Sequence, residues 1–310
     1  MTPSQFWKNF GLGEELSISG TFIYNGLRRF HELKKLDHAD EIFEVFYNLS
    51  VGLERLLKIT VVLLEHKDDG NQEELEQSLI THNHLELLHR VKQFVTVNLG
   101  TPHNEFLGLL AKFYKSHRYD RFTLSSISDF HKERDALYEF LAKYLGVEFD
   151  DADSVFGTSN DARYRKFLRN TVKKISTVLY QIIETRAHEL NLYTYELRHG
   201  SKAQTIFLGE ADIPAEDVLW KELLVFFMNT NAKSGYLDFL KGIPPLDFDP
   251  ALVDDYLDCF QSDAAKAFVR DELECLYEQI DDKRKRLELI GVIGAVGVDF
   301  GDSDEEDPKE

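Results

Sequence analysis

Apolar residues recur at three- and four-residue steps from Glu41 to His66, where Ile42, Val45, Phe46, Leu49, Leu53, Leu56, Leu57, Leu63 and Leu64 mark one face. At 1.5 Å per residue this predicts a helix about 39 Å long. Its second half, ITVVLL, is apolar on every side and should be enclosed by other helices. Charge nevertheless sits in mid-helix, at Glu54, Arg55 and Lys58.

The same period predicts a short helix over Phe22 to Lys35 and a second long one from Glu73 to Val97, ended by Gly100-Thr101-Pro102. Shorter helices should cover Glu105 to Lys115 and Ser126 to Tyr144. A very long one follows from Ala162 to Leu197, with Phe167, Val172, Ile175, Leu179 and Ile183 on its stripe. Ala215 to Thr230, Tyr236 to Lys241, Pro250 to Phe260 and Asp263 to Glu288 continue the series, interrupted by Pro244-Pro245. The expected fold is therefore all-α, a multi-helix bundle with long central helices and at most a minor strand element. Ala203 to Leu208 could be that strand. Leu289 to Phe300, LIGVIGAVGVDF, reads as a strand, a docking segment or irregular packing, because its glycines disfavour a helix.

Four regions follow from these elements. Residues 1–20 hold Gly11, Gly13 and Gly20 and read as an irregular arm; 21–150 form one helical bundle. A second helical region covers 160–288, with the basic long helix first and acidic helices after it. The acidic, Gly- and Ser-bearing run from Gly146 to Asp161 marks the boundary between the two. Residues 289–310 are the apolar Gly-rich segment and a disordered acidic tail.

With 43% hydrophobic and 12% aromatic residues in 310, the chain can bury a large core. Its formal charge of −19 makes the molecule as a whole repel nucleic acid and anionic membrane. Two cysteines, Cys259 and Cys275, lack metal-type spacing and fit a reducing cytosol. The start lacks a basic-then-apolar signal pattern, and no window of about 18 apolar residues exists. A cytoplasmic protein with no membrane span is expected.

The charge is uneven. Between Ala162 and Lys202, nine Lys and Arg face three Glu, a net of +6. The cations here include Arg165, Lys166, Arg169, Lys173, Arg198 and Lys202. Just before this region, Phe113 to Phe122 (FYKSHRYDRF) alternates aromatics with cations and contains Lys115, His117, Arg118, Tyr119 and Arg121. Guanidinium groups with stackable rings suit single-stranded RNA, one binding phosphate and the other the bases. A basic face matched internally to the acidic C-terminal part is the other reading. Glu196 to Lys202, ELRHGSK, sets Arg198 beside His199 and could polarise a phosphodiester, or simply cap a helix end. Thr81-His82-Asn83-His84, with His89 after it, offers three imidazoles that would not converge on one helix face. Capping or surface roles are expected of them, with no metal site. No phosphate loop, GxSxG elbow or dinucleotide fingerprint occurs, so no cofactor is implied.

NLSVGLERLLK (Asn48 to Lys58), THNHLELL (Thr81 to Leu88) and FYKSHRYDRF together resemble the HEPN class of helical prokaryotic proteins. The resemblance covers about Gly20 to Arg121. It implies an all-helical, often dimeric protein of a toxin–antitoxin or anti-phage module, whose active relatives are metal-independent RNases. Their signature, arginine followed four to six residues later by histidine, is missing from this chain. The expectation is a non-enzymatic component acting through a protein partner or homo-oligomer. The alternative is an RNase or RNA binder rebuilt from His117, Arg118, Arg121, Arg198 and His199, with Lys115, Tyr119, Arg165, Lys166, Arg169, Lys173 and Lys202 contacting RNA.

Overall fold

Glycines set how the first two long helices meet. In the computed structural model, α1 (Leu12–Glu32) and α2 (Ala39–Glu65) pack along most of their length. A Cβ on Gly26 would lie 2.7 Å from Leu49 Cγ. One on Gly52 would lie 2.6 Å from Ile23 Cγ1 and 2.9 Å from the Ile23 backbone nitrogen. Ser19 Oγ uses the same closeness to donate to the Gly52 carbonyl at 2.7 Å, inside the core. The structure describes residues 1–300 except 69, 121, 123, 125–130, 150–156, 210–212, 261–262 and 299.

The chain divides into two units, Met1–Asp212 and Ile213–Glu310. In the first, α2 is the axis that the apolar pattern predicts. Ile42, Val45, Phe46, Leu49, Leu53, Leu56, Leu57 and Leu63 are all buried. Around it stand α1, α4 (His84–Lys92), α5 (Thr101–Lys112), α6 (Lys132–Leu145) and α7 (Ala162–Glu189), after the short α3 (Gln72–Ser78). α8 (Lys202–Phe207) packs on α1 and α7. The described residues are all-α, and their one β feature is an isolated bridge between Lys35 and Ser159.

Several elements differ from expectation, each for a physical reason. Residues 3–11 are not an irregular arm. They wind as Pro3–Phe6 and a π-helical turn, Trp7–Gly11, straight into α1, because Thr2 and Gln5 form a capping box. Gly13 and Gly20 are contact points, against Thr194 and Ile206. The long helix expected over Glu73 to Val97 is two, since Asn71 and Asn83 each cap a new start. Gly100-Thr101-Pro102 begins α5, with Pro102 in its first turn. α7 ends at Glu189, and Ala203 to Leu208, the expected strand, is helical instead, capped by Ser201.

The expected boundary at Gly146 to Asp161 lies inside the first unit, and its described end is tied down. Leu36 N donates to Thr158 O at 2.8 Å, and Asn160 Nδ2 donates to Phe30 O at 2.6 Å. Gly157 adopts φ +78° beside Asp37, whose Oδ2 would sit 1.8 Å from any Cβ there. A linker would carry no such constraint.

The second unit holds α9 (Ile213–Asn229), α10 (Gly235–Gly242), α11 (Val253–Asp258), α12 (Asp263–Glu278) and α13 (Lys283–Gly291). Asp282 caps α13 and breaks the helix expected to reach Glu288 unbroken. The segment after Leu289 is no strand. It leaves α13 at Gly291 in turns with Gly294 and Gly297 at positive φ, and Phe300 stacks on Tyr236 at 4.4 Å. The acidic tail, 301–310, lies outside the described residues. Among those described, no helix is long and apolar enough to cross a membrane.

The α1–α2 crossing yields a stability test. Replacing a helical glycine by alanine ordinarily gains about 1 kcal/mol. At Gly52 the added methyl meets main chain as well as Ile23, and overpacking costs about 1–3 kcal/mol. Gly52→Ala should therefore lower the urea midpoint at unchanged slope. A raised midpoint would show that the two helices separate freely.

Candidate functional site

A charge in the middle of an apolar helix needs a partner, because an unpaired buried carboxylate is costly. Glu54 is 7% exposed on α2. Lys58, one turn on, donates from Nζ to Glu54 Oε1 at 2.7 Å. Its other oxygen, Oε2, lies 3.0 Å from His82 Nδ1. A carboxylate accepts, so His82 carries a proton on Nδ1, which leaves Nε2 as the acceptor nitrogen of the neutral ring. His82 reaches Glu54 because the chain leaves helix between Ser78 and His84. Its side chain remains 48% exposed.

His84 does the opposite work. It is fully buried and donates from Nε2 to the Ser50 carbonyl at 2.9 Å, fixing the start of α4 on α2. Burial pushes its pKa below the ordinary value, which keeps the ring neutral.

The far wall comes from the end of α5. Phe113–His117 is a π-helical turn, closed by the Arg118 N–H bonding back to the Phe113 carbonyl. Such an inserted turn re-aims side chains and recurs at functional sites. Here Phe113 goes into the core against Phe46 at 5.6 Å, while Tyr114 stays at the edge. The Tyr114 ring lies 4.6 Å from the His82 ring and 6.3 Å from Tyr47. Partial burial raises its phenol pKa. The Arg118 guanidinium sits 4.0 Å from the Tyr114 ring centre and 4.5 Å from that of Tyr119, whose hydroxyl it also meets. Arg118 Nε is buried without a hydrogen-bond partner. Among the described residues, tyrosines and no carboxylate neighbour this cation. His82 and Arg118 flank one ring, so they are at most 4.6 + 4.0 = 8.6 Å apart.

The other candidates are spread over the first unit. Lys115 and Tyr119 are exposed beside Arg118, whereas His117 is buried and Arg121 lies outside the described residues. Lys166, Arg169 and Lys173 share one face of α7 at helical spacing. Lys173 Nζ donates to the Gly209 carbonyl at 3.4 Å, and Arg165 Nη1 to the His31 carbonyl at 3.4 Å. Lys202 donates to Thr21 Oγ1 at 2.7 Å. Arg198 and His199 are exposed just after a 3₁₀ turn, Tyr195–Leu197, that packs on α1 and α8. Tyr47, Glu54, Lys58, His82 and Tyr114 are the site residues that sequence reasoning missed. The charges inside α2 and the two histidines before α4 were the available signal.

Chemically, the cluster offers an imidazole oriented by a buried carboxylate, a guanidinium with spare donors, and exposed rings. Among the described residues no group of three or more His, Cys, Asp or Glu is placed to hold a metal ion. Comparison with protein-family models, curated proteins and solved structures finds no match, so the chemistry is read from this geometry alone.

His84 gives the site a pH signature. Unfolded, it binds a proton near pH 6.5; folded, only at lower pH. The unfolded chain therefore holds more protons below 6.5, and stability falls as pH drops from there through the folded value. The His84 share should approach a slope of about 1.4 kcal/mol per pH unit. Half-buried His103 shifts the same way, so that share is the slope lost in His84→Gln. Urea titrations between neutral and mildly acidic pH measure it. Equal slopes in both proteins would mean that His84 is not held neutral.

Proposed function

We propose that the first unit binds RNA and cleaves its phosphodiester bonds at the Glu54–His82–Arg118 site. The observation behind this reading is the arrangement about Tyr114. One side is a histidine whose Nδ1–H is held by a carboxylate. Beside the same ring is an arginine whose neighbours, among the described residues, are tyrosines. Arg118 anchors the non-bridging phosphate oxygens through its unused N–H groups. His82 Nε2 takes the proton from the ribose 2′-hydroxyl, O2′ attacks the adjacent phosphorus, and the P–O5′ bond breaks. The O5′ leaving group takes a proton from water and His82 gives its own back to solvent, which leaves a 2′,3′-cyclic phosphate and a 5′-hydroxyl. Glu54 positions the imidazole and stabilises its charged form, while Lys58 holds Glu54. Exposed Tyr119 offers a stacking face to a flanking base. Further strand follows the α7 face, where Arg186 alone among the described cations pairs with a carboxylate, Glu189 at 2.7 Å.

A second reading, a component working through protein contacts as in an anti-phage or toxin–antitoxin module, is favoured by the second unit. Between residues 214 and 300 no described side chain is buried. A unit without a core does not offset the entropy of ordering its chain. Association would supply the missing burial.

Incubation with mixed RNA in EDTA, with cyclic-phosphate ends scored on the products, tests the first reading. His82→Ala should slow cleavage by about 10²–10⁴-fold. Arg118→Lys should not restore what Arg118→Ala loses, since lysine lacks the planar fork. Glu54→Gln should shift the pH–rate profile as well as the rate. RNA that stays whole with the native protein, and binds equally to the Arg118→Ala variant, sinks the reading.

A further inference from the structure

The second unit, read as a contact module, has a surface that selects one partner chemistry, and that selection rests on the contact reading. α9 carries Leu219, Leu223, Phe226 and Phe227 at the spacing of one helix face, and these are 59%, 45%, 45% and 47% exposed. Val218, Val225 and Met228, toward the other side of the helix, are 56%, 54% and 75% exposed. An exposed apolar row of this kind on a helix marks an interaction surface. The charge around it says what covers it. Residues 213–310 contain twenty-four Asp and Glu against ten Lys and Arg, a net of −14. Of these cations, Arg270 and Arg284 are already paired, with Glu274 and Glu288 at 3.0 and 2.9 Å. Glu222 projects from α9 between the turns that carry Leu219 and Phe226.

A second copy of this unit would bring −28 together, and anionic lipid or nucleic acid would be repelled in the same way. An exposed apolar strip on a unit with this acid excess, with Glu222 beside it, fits an amphipathic helix whose polar face is lysine and arginine, the helix-in-groove mode of recognition. We infer that α9 is the docking site for a basic amphipathic helix of a partner protein. The partner's apolar side covers Leu219, Leu223 and Phe226, and its cations meet Glu222 and the acid excess of the unit.

The test uses the full-length protein and two labelled amphipathic peptides of equal length, one built of Leu and Lys, the other of Leu and Glu. Fluorescence anisotropy should show the Lys peptide binding about tenfold or more tighter, with the difference shrinking at high salt. Leu219→Asp and Phe226→Asp should each abolish binding. Both side chains are exposed, so the helical circular dichroism should not change. Glu222→Lys should weaken binding severalfold and leave the circular dichroism as it was. Equal binding of both peptides overturns the charge argument. Dimers in light scattering that Leu219→Asp converts to monomers also overturn it, giving the face to a second copy while leaving the contact reading intact. A monomer that binds neither peptide removes both.

Discussion

A carboxylate in the middle of a helix otherwise made of leucine, valine and isoleucine is the constraint from which the site follows. Glu54 is enclosed by the same packing that makes α2 the axis of the first unit. Its charge survives there only with close partners, since breaking a buried pair costs about 3–5 kcal/mol. Lys58 supplies one partner at no topological cost, being one turn away on the same helix. His82 supplies the other at a real one. The chain must leave helix after Ser78, cross to α2 and restart with Asn83 as a new cap. The break between α3 and α4 is thus the backbone consequence of satisfying one side-chain oxygen.

That break also separates two histidines by role. His84 goes inward, is desolvated and stays neutral, so it acts as a fixed strut between Ser50 and α4. His82 stays at the rim, with Nδ1 engaged by Glu54 and its side chain half exposed. The π-helical turn after α5 completes the arrangement from the other side. It turns Phe113 into the core while holding Tyr114 and Arg118 at the edge, one residue set serving packing and chemistry together.

The all-α class, the axis helix and its buried stripe could be read from periodicity, because a strong 3.6-residue pattern leaves no other use for so many leucines. Boundaries were harder. The glycines near the start looked like loop signals and are helix contacts; Asn83 looked like one residue of a continuing helix and is a cap. Most of the site was less legible still. Glu54 and Lys58 stood out as charges in the wrong place, and His82 as one of a pair, but periodicity places residues on faces of their own helix only. It does not show that a loop histidine will fold back 28 residues to meet a glutamate. Arg118 and its tyrosines were visible as an aromatic–cationic run, because neighbours in sequence stay neighbours across a turn. The expected companions at Arg198 and His199 belong to a different element, packed on α1 and α8.

The net charge of −19 argues against an RNA site only if charge is shared evenly, and it is not. Of that total, −14 belongs to residues 213–310, which leaves −19 − (−14) = −5 for the first unit. Within that unit the stretch from Ala162 to Lys202 is +6. Screening at ordinary ionic strength confines each charge to about 10 Å. A phosphate at Arg118, as proposed, would therefore respond first to the groups around that arginine, and among the described ones these are the rings of Tyr114 and Tyr119. The same screening would let one chain carry the anion site proposed for the first unit and the cation-seeking face proposed for the second.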